Sequence, residues 1–179
     1  PSPIVRPQTR ILTVAVNPEI DAITVALVSL GGTVLDMTRW PTAGIPTAHE
    51  TVTIAAKAIA RMQKELQPTR TITALGVAVP GLVDATNGTV RMAPHLDWHD
   101  AELGQMLSTA TELPVFAAND ANAGAIAEHI FGRHQNADHM IFVNGGASGI
   151  GAGFVVAGEL LDGATGYAGE LGHTYVGGN

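Results

Sequence analysis

The stretch VFAANDANAGAIAEHIFG, residues 115–132, decides how the rest of the chain is read. Val115 to Ala118 is an apolar, strand-like run. Ala121 to Phe131 has helical spacing, with Ala123, Ile126, Ala127 and Ile130 expected inward. Between them stand Asn119 and Asp120. An Asp at a strand-to-helix junction accepts backbone N–H bonds as a helix cap. The C-terminal end of a strand is also where α/β sheets hold ligands, and Asn beside Asp offers donors and acceptors together, as a polyol requires. Spacing alone leaves both readings open.

Upstream, Ile11 to Val16, Ala22 to Leu30 and Thr33 to Trp40 are apolar or β-branched runs joined by short turns, Gly31-Gly32 among them. They predict a three-stranded meander. Thr47 followed by Glu50 has the pattern of a capping box. The helix after it carries Val52, Ala55, Ala56, Ile59, Met62 and Leu66 at helical spacing, and Pro68 closes it. Ile72 to Val79 reads as a buried strand ended by Pro80-Gly81, Thr86-Asn87-Gly88 as a turn, and Thr89 to Met92 as a returning strand. Ala101 to Glu112 is expected to be a helix. His139 to Val143 and Gly153 to Ala157 are expected to pair around NGGASGIGAG. Residues 1–10 read as a linker and residues 11–118 as a finished β-β-β-α-β-α-β lobe. Residues 119–179 read as the opening of a second lobe, so the chain is expected to be truncated at both ends.

Composition narrows the function. The 179 residues are 46% apolar and 4% aromatic, which suits an α/β core of Ala, Val, Ile and Leu. Nine Lys plus Arg stand against 16 Asp plus Glu, a balance that repels a nucleic-acid backbone. There is no Cys, so a disulfide scaffold and a thiolate metal site are excluded within these residues. No apolar run approaches the ~20 residues of a membrane span, and the Pro-rich start has no signal-peptide h-region. A cytoplasmic protein without membrane partners is expected.

Other constellations each have two readings. Gly149, Gly151 and Gly153, with the hydroxyl of Ser148, make either a Gly-rich hairpin or backbone donors cradling a phosphate. A dinucleotide fingerprint is excluded, because a strand follows where a helix is needed. Glu170 and His173 in AGELGHTY are either an exposed loop pair or a carboxylate and imidazole shaped for sugar hydroxyls or a metal. His49 and His139 read as surface or edge residues and His129 as structural. His95, His99 and Trp98 in APHLDWHD are more suggestive of a site.

Taken in order, VAVPGLVD, NGTVRMAPHLDW, LPVFAANDANAGAIAEHIFG and GIGAGFVVAGELLDGATGYAGELGH resemble the ROK family of sugar kinases and sugar-responsive transcriptional repressors. The likeness runs from Ile11 to Gly178, and GELGH is its most specific piece. The resemblance implies an actin-like, ribonuclease-H-like ATPase-type fold, its first lobe complete here and its second partial, with a sugar in the interlobe cleft. It implies ligand contacts at Asn119, Asp120, Glu170, His173, His95 and Gly81, with Asp120 as catalytic base only in a kinase. Ser148, Gly149, Gly151 and Gly153 fall on a phosphate-loop remnant. His173 falls on a region tied in many members to a zinc held by downstream Cys residues, so zinc is implied only for a longer chain and no metal for these residues.

Two departures from the family pattern favour a regulator. Kinases of the family have an Asp followed by a Gly-Gly-Thr phosphate loop. Here Asn17 stands at the Asp, Glu19 and Ile20 at the glycines and Asp21 at the Thr. Like charge replaces phosphate donors, so ATP should be rejected. His95 stands where Asn is common, which bears on which sugar fits. The function expected is the effector-binding portion of a ROK-type transcriptional regulator that takes a hexose or derivative. An ATP-dependent, glucokinase-like sugar kinase is the alternative. DNA contact would belong to an upstream helix-turn-helix, and apolar faces on helix 121–131 and strands 139–157 are expected to drive homo-oligomer formation.

Overall fold

A computed structural model describes residues 9–135, 137–146, 149–163, 166–175 and 177. The meander is present as β1 (Ile11–Pro18), β2 (Ala22–Ser29) and β3 (Val34–Pro41), antiparallel in sequence order. Helix α1 (Ala48–Glu65) carries the chain back, so that β4 (Thr71–Val79) pairs with β1 in parallel. Helix α2 (Leu103–Thr111) then leads to β8 (Val115–Asn119), parallel to β4. The five-stranded sheet has the order β3-β2-β1-β4-β8.

Alternation sets the two faces of this sheet. Leu12, Val14, Val16, Ile23, Val25, Leu75 and Val77 join Ala55, Ala58, Ile59, Met62, Leu103 and Leu107 in one core under α1 and α2. The opposite face is made of small residues, Ala15, Ala26, Gly76, Ala78 and Ala118 among them. Thr47 caps α1, its Oγ1 accepting from the Glu50 N–H at 3.1 Å. The buried stripe of α1 is Thr51, Ala55, Ala58, Ile59 and Met62, so Ala58 takes the place expected for Ala56.

A second, three-stranded sheet contains two strands absent from the sequence reading, β5 (Leu82–Asp84) and β7 (Trp98–Ala101), on either side of β6 (Thr89–Ala93). Its corner is fastened by Trp98, whose Nε1 donates to the Pro46 carbonyl at 2.9 Å.

Beyond β8, α3 (Asp120–Phe131) packs on the hairpin of β9 (His139–Gly146) and β10 (Gly149–Val156), with the short β11 (Glu159–Leu160) on its edge. The glycines expected to form a loop are in the strands. The inward face of α3 also differs from expectation: Ala121, Asn122 and Ala125 are buried, whereas Ile126, Ala127 and Ile130 are exposed. The cause lies on β10. A β-carbon at Gly153 would stand 2.5 Å from Ala125 Cβ, and one at Gly151 3.2 Å from Ala121 Cβ. Helix and sheet are too close for Ile side chains between them. The far face of the hairpin exposes Ile141, Val143 and Ile150. Among the described residues no helix is long and apolar enough to cross a membrane.

Gly153→Val should therefore force α3 off the hairpin. We expect a loss of about 1–3 kcal/mol in urea unfolding, against near-neutrality for valine at Gly145, where a β-carbon meets nothing within 4 Å.

Candidate functional site

Three strand ends converge on one cavity. The end of β1 supplies Asn17, the turn after it Glu19 and Asp21, the turn after β4 supplies Pro80, and the end of β8 leads to Asp120. The cavity holds about 320 Å3. Loops at the carboxyl ends of parallel strands are the usual ligand position in α/β sheets, because the strands hold those loops in fixed relation.

The helix cap is Asn119, not Asp120. Asn119 Oδ1 accepts from the N–H groups of Ala121 at 2.9 Å and Asn122 at 3.1 Å. Its Nδ2 donates to the Gly81 carbonyl at 3.1 Å, joining the β4–β5 turn to α3. Gly81 has no room for a side chain, since a β-carbon would meet the Met92 carbonyl and Ala93. Gly81, Asn119 and Asp120 are thus one hydrogen-bonded unit. Asn119 also lines a second cavity of about 600 Å3 with Asp84, Arg91 and Asn122.

With the cap supplied by its neighbour, Asp120 is turned toward the cavity. Its Oδ1 accepts from Ala121 N–H at 2.9 Å, and its Oδ2 accepts from Asn144 Nδ2 at 3.2 Å. Burial pushes the Asp120 carboxyl above the usual range, and these bonds only partly oppose the shift. Asn144 was not singled out from sequence. Its only local signal is a polar residue at the end of the apolar run of β9.

Glu19 and Asp21 are held in place by Arg39, which reaches across from β3. Arg39 Nε donates to Glu19 Oε2 at 3.0 Å, its NH2 group donates to Asp21 Oδ1 at 2.6 Å, and Thr24 Oγ1 donates to Glu19 Oε1 at 2.8 Å. One cation against two carboxylates leaves this wall of the cavity negative.

Glu170 precedes and His173 ends a short 3-10 turn, Leu171–His173, and the two pair with each other at 3.7 Å. His173 is 85% exposed, and neither residue bonds directly to Asn119 or Asp120 among the described residues. The turn is fastened to β10 by Ala152 N–H donating to the Gly169 carbonyl at 2.9 Å. His95 is exposed on the 3-10 turn Pro94–Leu96 and lines neither cavity. Gly149 begins β10 with φ +109, Gly151 and Gly153 are strand residues packed on α3, and Ser148 lies outside the described residues. No group of three or more His, Asp or Glu that could hold a metal occurs among the described residues.

The ROK family model matches residues 13–179, and the chain belongs to the ROK family. A xylose repressor of Caldicellulosiruptor bescii is 37% identical over 115 residues, covering 64% of this chain and 29% of the repressor. The structure of a ROK family transcriptional regulator, a homologue of the E. coli MLC protein, superposes with TM-score 0.82 at 31% identity, over 94% of this chain and 42% of that one. A ROK family glucokinase from Streptomyces griseus, in complex with glucose and AMPPNP, gives TM-score 0.81 at 32% identity, over 92% and 51%. The α/β fold is therefore the actin-like ATPase fold of ROK kinases and regulators. The chain spans about a quarter to a half of the length of these relatives.

The state of Asp120 has a measurable sign. A carboxyl whose folded pKa is raised binds its proton more tightly in the folded chain, so its ionisation opposes folding. That penalty is absent below the unfolded pKa of about 3.9, and it grows as pH rises through the folded value. Asp120→Asn should melt above wild type at pH 7, and the difference should close toward pH 3 in thermal scans.

Proposed function

We propose that this chain is the sugar-sensing portion of a ROK-type transcriptional regulator and that it binds a hexose or related neutral sugar without phosphorylating it. Residues 11–118 are taken as the first lobe and residues 119–179 as the opening of the second. The observation that carries the reading is the pair Glu19 and Asp21 in the cavity that also contains Asp120. Phosphoryl transfer rests on donors and cations that neutralise the nucleotide phosphates. At this wall the one cation among the described residues, Arg39, is already engaged by two carboxylates. A neutral polyol pays no such repulsion, and Asp120 can accept from its hydroxyls.

The likeness to a xylose repressor supports the regulator reading, and the likeness to a glucokinase keeps a kinase as the second one. The kinase reading is also favoured by the Gly-rich hairpin and by a carboxylate of raised proton affinity at the cleft. On the regulator reading Asp120, Glu170 and His173 contact the sugar, Asn119 and Gly81 hold Asp120 in place, and DNA is contacted through a segment outside these residues. Exposed Ile141, Val143 and Ile150 support self-association, and a cytoplasmic location follows from the reading.

Two measurements test it. A coupled assay with ATP-Mg and common hexoses should show no sugar-dependent turnover. Turnover abolished by Asp120→Asn would establish the kinase instead. In calorimetric titration with D-glucose, D-xylose and amino sugars, Asp120→Ala should weaken binding about tenfold to a hundredfold, the worth of a charged hydrogen bond. Unchanged affinity would remove Asp120 from the sugar site.

A further inference from the structure

The first turn of α3 carries a second amide that the site above leaves unused. Asn122 is 7% exposed, and its Oδ1 is buried without a hydrogen-bond partner among the described residues. Buried acceptors are seldom left this way, because they lose water and gain nothing in exchange. Asn119 and Asp120, in the same turn, are both hydrogen-bonded. Within this turn, among the described residues, the unpaired oxygen belongs to Asn122 alone.

Its surroundings give it a partner. Asn122 Oδ1 lies 3.7 Å from where a β-carbon on Gly169 would stand. Gly169 opens the turn that carries Glu170 and His173, and it has φ +95 with its backbone pressed onto the Ala152 carbonyl. Glycine is needed there both for the left-handed conformation and for the close approach. The next amide is weakly held: Glu170 N–H reaches the Tyr167 carbonyl at 3.4 Å, the long end of a hydrogen bond. A free acceptor thus lies beneath a turn whose N–H is loosely engaged.

We propose that Asn122 is the positioning residue for Glu170 and His173. Its Oδ1 accepts a backbone N–H of the Gly169–Glu170 turn when a sugar fills the cleft, and so fixes that turn against the helix that carries Asp120. The proposal rests on the reading of Glu170 and His173 as sugar contacts. Asp120 and the turn then share a single support, which is how two short elements can hold one ring of hydroxyls with matched spacing.

The test uses the full chain with D-glucose and D-xylose as probes. Asn122→Leu keeps the branched shape of the side chain and removes the acceptor. It should weaken whichever sugar wild type binds by about tenfold, with the melting temperature not lowered. Combined with Glu170→Ala, it should add no more than about twofold to the loss from Glu170→Ala alone, because both act through the same turn. In hydrogen exchange, sugar should protect the amides of residues 169–173 in wild type and not in Asn122→Leu. Affinity equal to wild type, fully additive losses in the double variant, or sugar protection retained in Asn122→Leu would each overturn the proposal. Wild type binding neither sugar would instead overturn the sugar-site reading, and this proposal with it.

Discussion

The amide of Asn119 joins two strand ends that nothing else in the backbone joins at that point. Strands β4 and β8 are parallel neighbours as far as Val79 and Asn119, and there the ladder stops. Beyond it the chain must turn sharply at Pro80-Gly81 on one side and begin a helix on the other. Each departure leaves polar backbone groups without partners. One side chain satisfies both sets, donating to the Gly81 carbonyl and accepting from two first-turn amides of α3. Were Asp at this position, it could cap the helix but could not donate to Gly81. Asn does both with two separate atoms, which leaves Asp120 Oδ2 free of the helix end and bonded to Asn144. The division of labour in this Asn-Asp pair is therefore set by hydrogen-bond inventory.

Much of this fold was legible because its signals are local. The β-branched runs of β1 and β2, the glycine pair after β2 and the Thr47 cap lie within a few residues of what they specify. What failed depends on contacts far along the chain. The inward face of α3 was read from its isoleucines, yet burial was decided by Gly151 and Gly153, which admit only alanines against them. Strands β5 and β7 have three and four residues, too few for a period to show. At the candidate site the pair Asn119-Asp120 was legible as a pair. Which of the two caps the helix was not, because the answer depends on Gly81 and Asn144. Glu19 and Asp21 were legible as charge, whereas their pairing with Arg39 follows from the antiparallel register that sets Thr24 opposite Arg39.

That pairing changes what the carboxylates do. Two free carboxylates on a mobile turn would spread into solvent and present little field to the cavity. Arg39 and Thr24 instead hold Glu19 through both oxygens and Asp21 through one. Surface ion pairs of this exposure contribute little to stability, since solvent screens them and ordering the side chains costs entropy. Their effect is geometric. They hold the Glu19 and Asp21 carboxylates in fixed positions along the cavity wall.

On the sensor reading proposed above, the raised proton affinity of Asp120 has a different use than it would have in an enzyme. A carboxyl shifted upward by burial is better matched to accepting a proton from a sugar hydroxyl, which is what a general base requires. Proton acceptance advances a reaction only if an electrophile stands in line and its developing charge is neutralised. Here the groups across the cavity carry the wrong sign for a phosphoryl donor. On the sensor reading, a hydroxyl that meets Asp120 shares its proton in a strong hydrogen bond and goes no further. On that reading the residue that would be a base in a kinase serves to distinguish an occupied cleft from an empty one. On that reading a sugar shifts the lobe's conformation only by the difference between its affinities for the two conformations, and the Asp120 hydrogen bond contributes wherever the two conformations place Asp120 differently.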